Sequence, residues 1–144
     1  MVATHDFNDR QVDTAIGHVI SHGARDGART VPLAEVFASA GLLPPWELHL
    51  GGESDLVIRF MTRFHDRCVE RALPPLDSLV VHDEGARRGR PGATYFLING
   101  HDDPFGGRSG PDRAVAALAF WQAEVRRCRE WGRQSGPTHD KDAT

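Results

Sequence analysis

The stretch LPPLDSLVVHDEGARRGRPGATYFLIN, residues 73–99, decides how the chain is read. Two apolar-rich runs, residues 76–82 and 94–99, flank a segment that Gly85, Gly89, Pro91 and Gly92 keep out of helix and strand. The pattern predicts a two-stranded β-hairpin with Arg87, Arg88 and Arg90 at its tip. Tyr95, Phe96, Leu97 and Ile98 put apolar side chains on both faces of the second strand, so helices should cover one face.

Immediately before the hairpin, Ser54 can cap a long helix that Leu73-Pro74-Pro75 stops. Val57, Phe60, Met61, Phe64 and Cys68 recur at helical spacing and predict its buried stripe. The polar face carries Arg59, Arg63, Arg67 and Arg71, each four residues from the next. Like charges at that spacing repel slightly. A phosphate backbone would relieve the repulsion, and so would Asp55, Asp66 and Glu70 at spacings of three or four.

Upstream, Asn8 can cap a first helix with Val12, Ala15, Ile16, Val19 and Ile20 on one face, stopped at Gly23 or Gly27. Thr30 can cap a second, with Pro32 in its first turn and Leu33, Val36 and Phe37 facing inward. Ala40-Gly41-Leu42 ends it, as the first helix of a helix-turn-helix ends. Residues 43–52 connect, with Trp46, Leu48 and Leu50 alternating as in a short strand or lid. Downstream, Pro111 opens a helix with an apolar stripe of Val115, Leu118, Trp121, Val125, Cys128 and Trp131, ended by Gly132. The expected organisation is one domain over residues 1–133 and a disordered polar tail over 134–144.

The bulk properties set limits. A chain of 144 residues with 40% hydrophobic and 26% charged residues suits one globular domain. No apolar run has the length of a membrane span, and MVATHDFNDR does not read as a signal peptide, so the expected location is the cytoplasm. Cys68 and Cys128 are too few for a disulfide framework and predict buried thiols. The net charge is −3, and Lys141 is the only lysine among 17 basic residues, so arginine placement rather than arginine number carries information.

The residues Leu73-Pro74-Pro75-Leu76, Leu79-Val80-Val81 and Arg90-Pro91-Gly92 carry a resemblance. The order of helix, Leu-Pro-Pro-Leu, apolar strand, Gly-rich turn, Pro-Gly and aromatic strand resembles winged helix-turn-helix modules of bacterial and phage defence or nuclease-associated proteins. It is distantly similar to the DNA-binding half of alkyltransferases and alkyltransferase-like proteins. The resemblance covers roughly residues 30–99. It implies an α+β fold, a helix-rich single domain with a winged-helix-like helical core and a two-stranded β-hairpin wing. The alkyltransferase Pro-Cys-His-Arg run is missing and Cys68 lies in the preceding helix, so the likeness implies binding without alkyl transfer.

The functional expectation is a non-catalytic duplex DNA-binding protein, with roles in transcription regulation or defence among those the likeness implies. Arg59, Arg63 and Arg67 would face the major groove, Arg71 would join them in binding DNA, and Arg87, Arg88 and Arg90 would reach backbone or minor groove. No metal and no cofactor is expected. The alternative is a small metal-dependent nuclease, with Asp83, Glu84, Asp102 and Asp103 holding Mg²⁺, or another enzyme using these loops with His82 and His101, and with His65 and Cys68 as a further donor pair. No CxxC, HExxH or phosphate-loop spacing supports it. A third reading is an interaction module, a homodimer seamed by the Trp121/Trp131 helix.

Overall fold

The computed structural model describes residues 7–27, 29–42, 55–83, 88–105 and 110–143, with side chains of the last segment described as far as 134. Helix α1, Asp9–Val19, begins where Asn8 and Gln11 form a reciprocal capping box, each side chain accepting from the other residue's backbone N–H at 2.9–3.0 Å. It passes into one π-helical turn, Ile20–Ala24, closed by the Arg25 N–H donating to the Ile20 carbonyl at 3.0 Å. Strand β1 is Val31–Pro32, followed at once by α2, Leu33–Ser39. Thr30 does not cap α2. The Asp83 carboxylate does so from across the chain, accepting from the Ala34 N–H at 3.0 Å. Helix α3 is Asp55–Glu70.

The predicted hairpin is not formed. Pro74 and Pro75 lack backbone donors, and their carbonyls accept from Leu76 and Ser78, coiling Leu76–Leu79 into a 3-10 turn. Only Val80–Val81 remains extended as β2. Its partner is β1, parallel, with Val31 opposite Val80 and Pro32 opposite Val81. The run expected as the second strand is helix α4, Ala93–Ile98. An apolar run this short fits a strand or a buried helix equally well, and the flanking residues decide. Gly92 starts α4 as its N-cap, and Gly100 at φ 79° ends it with the His101 N–H on the Phe96 carbonyl at 2.9 Å. The fold is therefore a helix-rich α+β domain with a two-stranded parallel sheet.

Helix α5, Pro111–Ala143, does not stop at Gly132, and the backbone of residues 134–143, within the expected tail, is helical. Gly132 serves contact instead. A Cβ there would land on the Ala24 carbonyl, so glycine lets α5 lie against the π-helical turn.

The main core lies between α1, α2, α3, the 3-10 turn and α5. Phe37, Phe60 and Phe64 are fully buried, and the Phe37 and Phe60 rings sit 4.9 Å apart. Truncating Phe60 to Ala should cost roughly 3–5 kcal/mol. Every residue of the expected α1 and α3 stripes is buried apart from Ile20, which packs against the core partly exposed. Cys68 and Cys128 are buried free thiols, as expected. A second, smaller cluster gathers Tyr95, Phe96 and Ala117 with Phe105, Phe120 and Trp121. No helix among the described residues is long and apolar enough to cross a membrane.

Candidate functional site

The arginine ridge of α3 faces acids. Arg63 grips Asp9 through Nε and Nη2, both at 2.8 Å, and donates through Nη1 to Glu70 at 2.8 Å. One turn on, Arg67 grips Asp13 through the same two nitrogens at 2.9 and 2.8 Å and reaches Glu70 at 3.0 Å. Arg71 Nη1 is 3.5 Å from Asp13, and Arg59 Nε donates to Asp55 at 2.8 Å. Two acids four apart on α1 thus meet two arginines four apart on α3. The arginine hydrogen bonds hold the Asp9, Asp13 and Glu70 carboxyls below their ordinary values.

The tip arginines divide. Arg87 lies outside the described residues. Arg88 is exposed, and Arg90 lays its guanidinium over the Phe105 ring at 4.7 Å. The His82 N–H donates to the Arg90 carbonyl at 2.9 Å, and the Gly89 N–H donates to the His82 carbonyl at 3.1 Å, closing this segment on itself.

Four of the expected donors hold structural contacts. Asp83 caps α2, Asp102 pairs with Arg113 at 2.9 Å, Asp103 accepts from the Phe105 N–H, and the His101 ring lies on Phe120. Glu84 lies outside the described residues. Cys68 is buried in the core, and its three-apart neighbour His65 turns to Asp77. Among the described residues no group of three His, Cys, Asp or Glu side chains could hold a metal ion.

Where the two apolar clusters meet, a buried polar array joins α3, the 3-10 turn, α4 and α5. His65 Nδ1 is 3.0 Å from Asp77 Oδ2, and the Tyr95 hydroxyl donates to Glu124 at 3.2 Å. Asp77 is 2% exposed, and its Oδ1 has no hydrogen-bond partner among the described residues. The bond to Asp77 raises the His65 pKa. Burial, reinforced by the charge of Asp77, raises that of Glu124. Burial also pushes the Cys128 thiol up to about 12, so it is an inert thiol donating to the Pro75 carbonyl at 3.2 Å. The sequence signal for this array was a carboxylate, Glu124, set inside the apolar stripe between Trp121 and Cys128.

The two tryptophans expected at a dimer seam have roles within the chain. Trp121 Nε1 donates to the Ser78 carbonyl at 2.9 Å and meets Phe105 edge-on, and Trp131 packs against the main core.

The outer face of α5 differs from that of α3. Arg126, Arg129 and Arg133 are exposed, share one side of the helix by their spacing of three and four, and have no carboxylate partner among the described residues. Sequence reasoning centred on the apolar stripe passes over them, and the 3–4 spacing is the signal that finds them. No family model, no curated protein and no solved structure matches the chain.

Proposed function

We propose that the protein binds duplex DNA without catalysing a reaction, and that Arg126, Arg129 and Arg133 of α5 make its main phosphate contacts. The carrying observation is that these three guanidinium groups are exposed on one helix face and unpaired among the described residues. Such groups gain from phosphate without first breaking an ion pair. The α3 ridge would have to give up Asp9, Asp13 and Glu70 to do the same, so it is the weaker contact surface. Exposed Arg88 is a further candidate contact.

The winged-helix part of this reading rests on the helical core alone. Helices α1, α2 and α3 follow in order, and α1 packs against both of the others. The homodimer reading would have to draw on the parts of Trp121 and Trp131 left partly exposed by their contacts within the chain.

The test is a titration of fluorescent random-sequence duplex DNA with the full chain at low salt. Binding is expected, and Arg126→Ala, Arg129→Ala and Arg133→Ala combined should remove most of it without lowering the melting temperature. Full retention of affinity in that variant would overturn the assignment to α5.

A further inference from the structure

A groove of about 470 Å³ runs along α5 where the helix passes the segment leading into β1. Thr30, Trp121, Gln122, Val125, Arg126 and Arg129 line it. The five α5 residues fall at spacings of one, three and four, so they form one continuous side of the helix. The groove is broad and open to solvent along its length.

The lining has two chemical halves. Trp121 and Val125 give an apolar, flat-sided part, and the indole is fixed in place by its bond to the Ser78 carbonyl and its edge contact with Phe105. Arg126 and Arg129 give two guanidinium groups with no carboxylate partner among the described residues. Thr30 and Gln122 add a hydroxyl and an amide to the lining. The helix's own buried acid does not compete, because Glu124 is 7% exposed and is engaged by Tyr95 and Arg127. A bare anion would leave the apolar half unused, and an apolar ligand would leave the arginines unused. A planar ring joined to a phosphate satisfies both.

We infer that this groove holds one unpaired base of a DNA strand with its adjoining phosphate on Arg126 and Arg129, so that the preferred partner is a duplex bearing a single-stranded extension. The inference rests on the DNA-binding reading above and narrows it to one kind of DNA end.

The experiment compares the full chain on a blunt duplex and on the same duplex carrying a short single-stranded extension with 2-aminopurine in it. The extension should tighten binding roughly tenfold, in keeping with the strength of base–aromatic stacking. The 2-aminopurine emission should fall as the base enters the groove. Trp121→Leu, checked for an intact melting transition, and Gln122→Glu, an exposed position outside the core, should each erase the advantage of the extension. Equal affinity for both DNAs with unchanged emission would overturn the inference and leave the DNA-binding reading standing. Adenosine 5′-monophosphate binding saturably while the extension adds nothing would make the occupant a free nucleotide and also overturn it. Binding of neither DNA at low salt would remove the underlying reading itself.

Discussion

Arg67 and Asp13, 54 positions apart in the chain, meet in a two-point fork, Nε to Oδ1 at 2.9 Å and Nη2 to Oδ2 at 2.8 Å. Together with Arg63 on Asp9, the fork fixes the register of α3 on α1 over one helical turn. It turns a row of like charges, unfavourable on an isolated helix, into a clasp between two helices.

The clasp should behave as a coupled unit. Asp13→Asn and Arg67→Gln should each lower the melting temperature, and the double variant should lose less than the sum of the two. The coupling should shrink in high salt, because both side chains are partly exposed. Strict additivity at low salt would show that the fork contributes nothing.

The pH profile follows from groups shifted in opposite directions. Asp9, Asp13, Glu35 and Glu70 have folded-state pKa values below the ordinary 3.8 and 4.5. Their stabilisation is complete above those ordinary values and is lost as pH falls through the lowered ones. His65 is raised above 6.5, chiefly by its bond to Asp77, so its contribution is complete below 6.5 and is lost as pH rises through the raised value. Glu124, raised above 4.5 by burial, acts in the same direction from a lower starting point. Melts across the pH range should show an acid limb and a gentler decline above neutral. Asp77→Asn should flatten the decline, and an unchanged slope in that variant would exclude His65 as its source.

Ala72 sits at φ 55°, at one of three helix ends among the described residues that close in the same way. The Leu73 N–H donates to the Cys68 carbonyl at 2.9 Å, as Leu42 does to Phe37 and His101 to Phe96. The other two endings place glycine, Gly41 and Gly100, at the left-handed position, and α3 places alanine there. Ala72→Gly should therefore stabilise the protein by about 1 kcal/mol, measured by denaturant unfolding. Destabilisation would mean that the left-handed turn costs alanine little here.

Gly132 makes the opposite case. Helix propensity alone predicts that Gly132→Ala gains about 1 kcal/mol. The Ala24 carbonyl occupies the space of the new methyl group, so the substitution should instead cost about 1–3 kcal/mol through overpacking. A gain in stability would show that α5 is not pressed against the π-helical turn.

The sequence made α1 and α3 legible because their apolar residues repeat at helical spacing over several turns, and Asn8 announces its own cap. Residues 94–98 misled because five apolar or β-branched positions in a row carry no period, and only Gly92 and Gly100 set the conformation. The strand partner of Val80–Val81 was hidden because it lies 49 positions back, in a two-residue strand. The α3 arginines were visible, but which helix would face them was not. Asp9 and Asp13 match their four-residue spacing, yet spacing does not say that two helices touch. The Arg126, Arg129 and Arg133 face was spelled out in the sequence and masked by the stronger apolar pattern of the same helix.

The central claim is that phosphate is met by α5, and the salt dependence of duplex DNA binding measures it most directly. Each lost phosphate contact makes the slope of log affinity against log salt shallower by roughly 0.9. The combined Arg126, Arg129 and Arg133 to Ala variant should lose roughly 2.7 from that slope, whereas Arg63→Gln with Arg67→Gln should barely change it. An unchanged slope in the α5 variant, or no binding by the unaltered chain at about 50 mM salt, would contradict the claim.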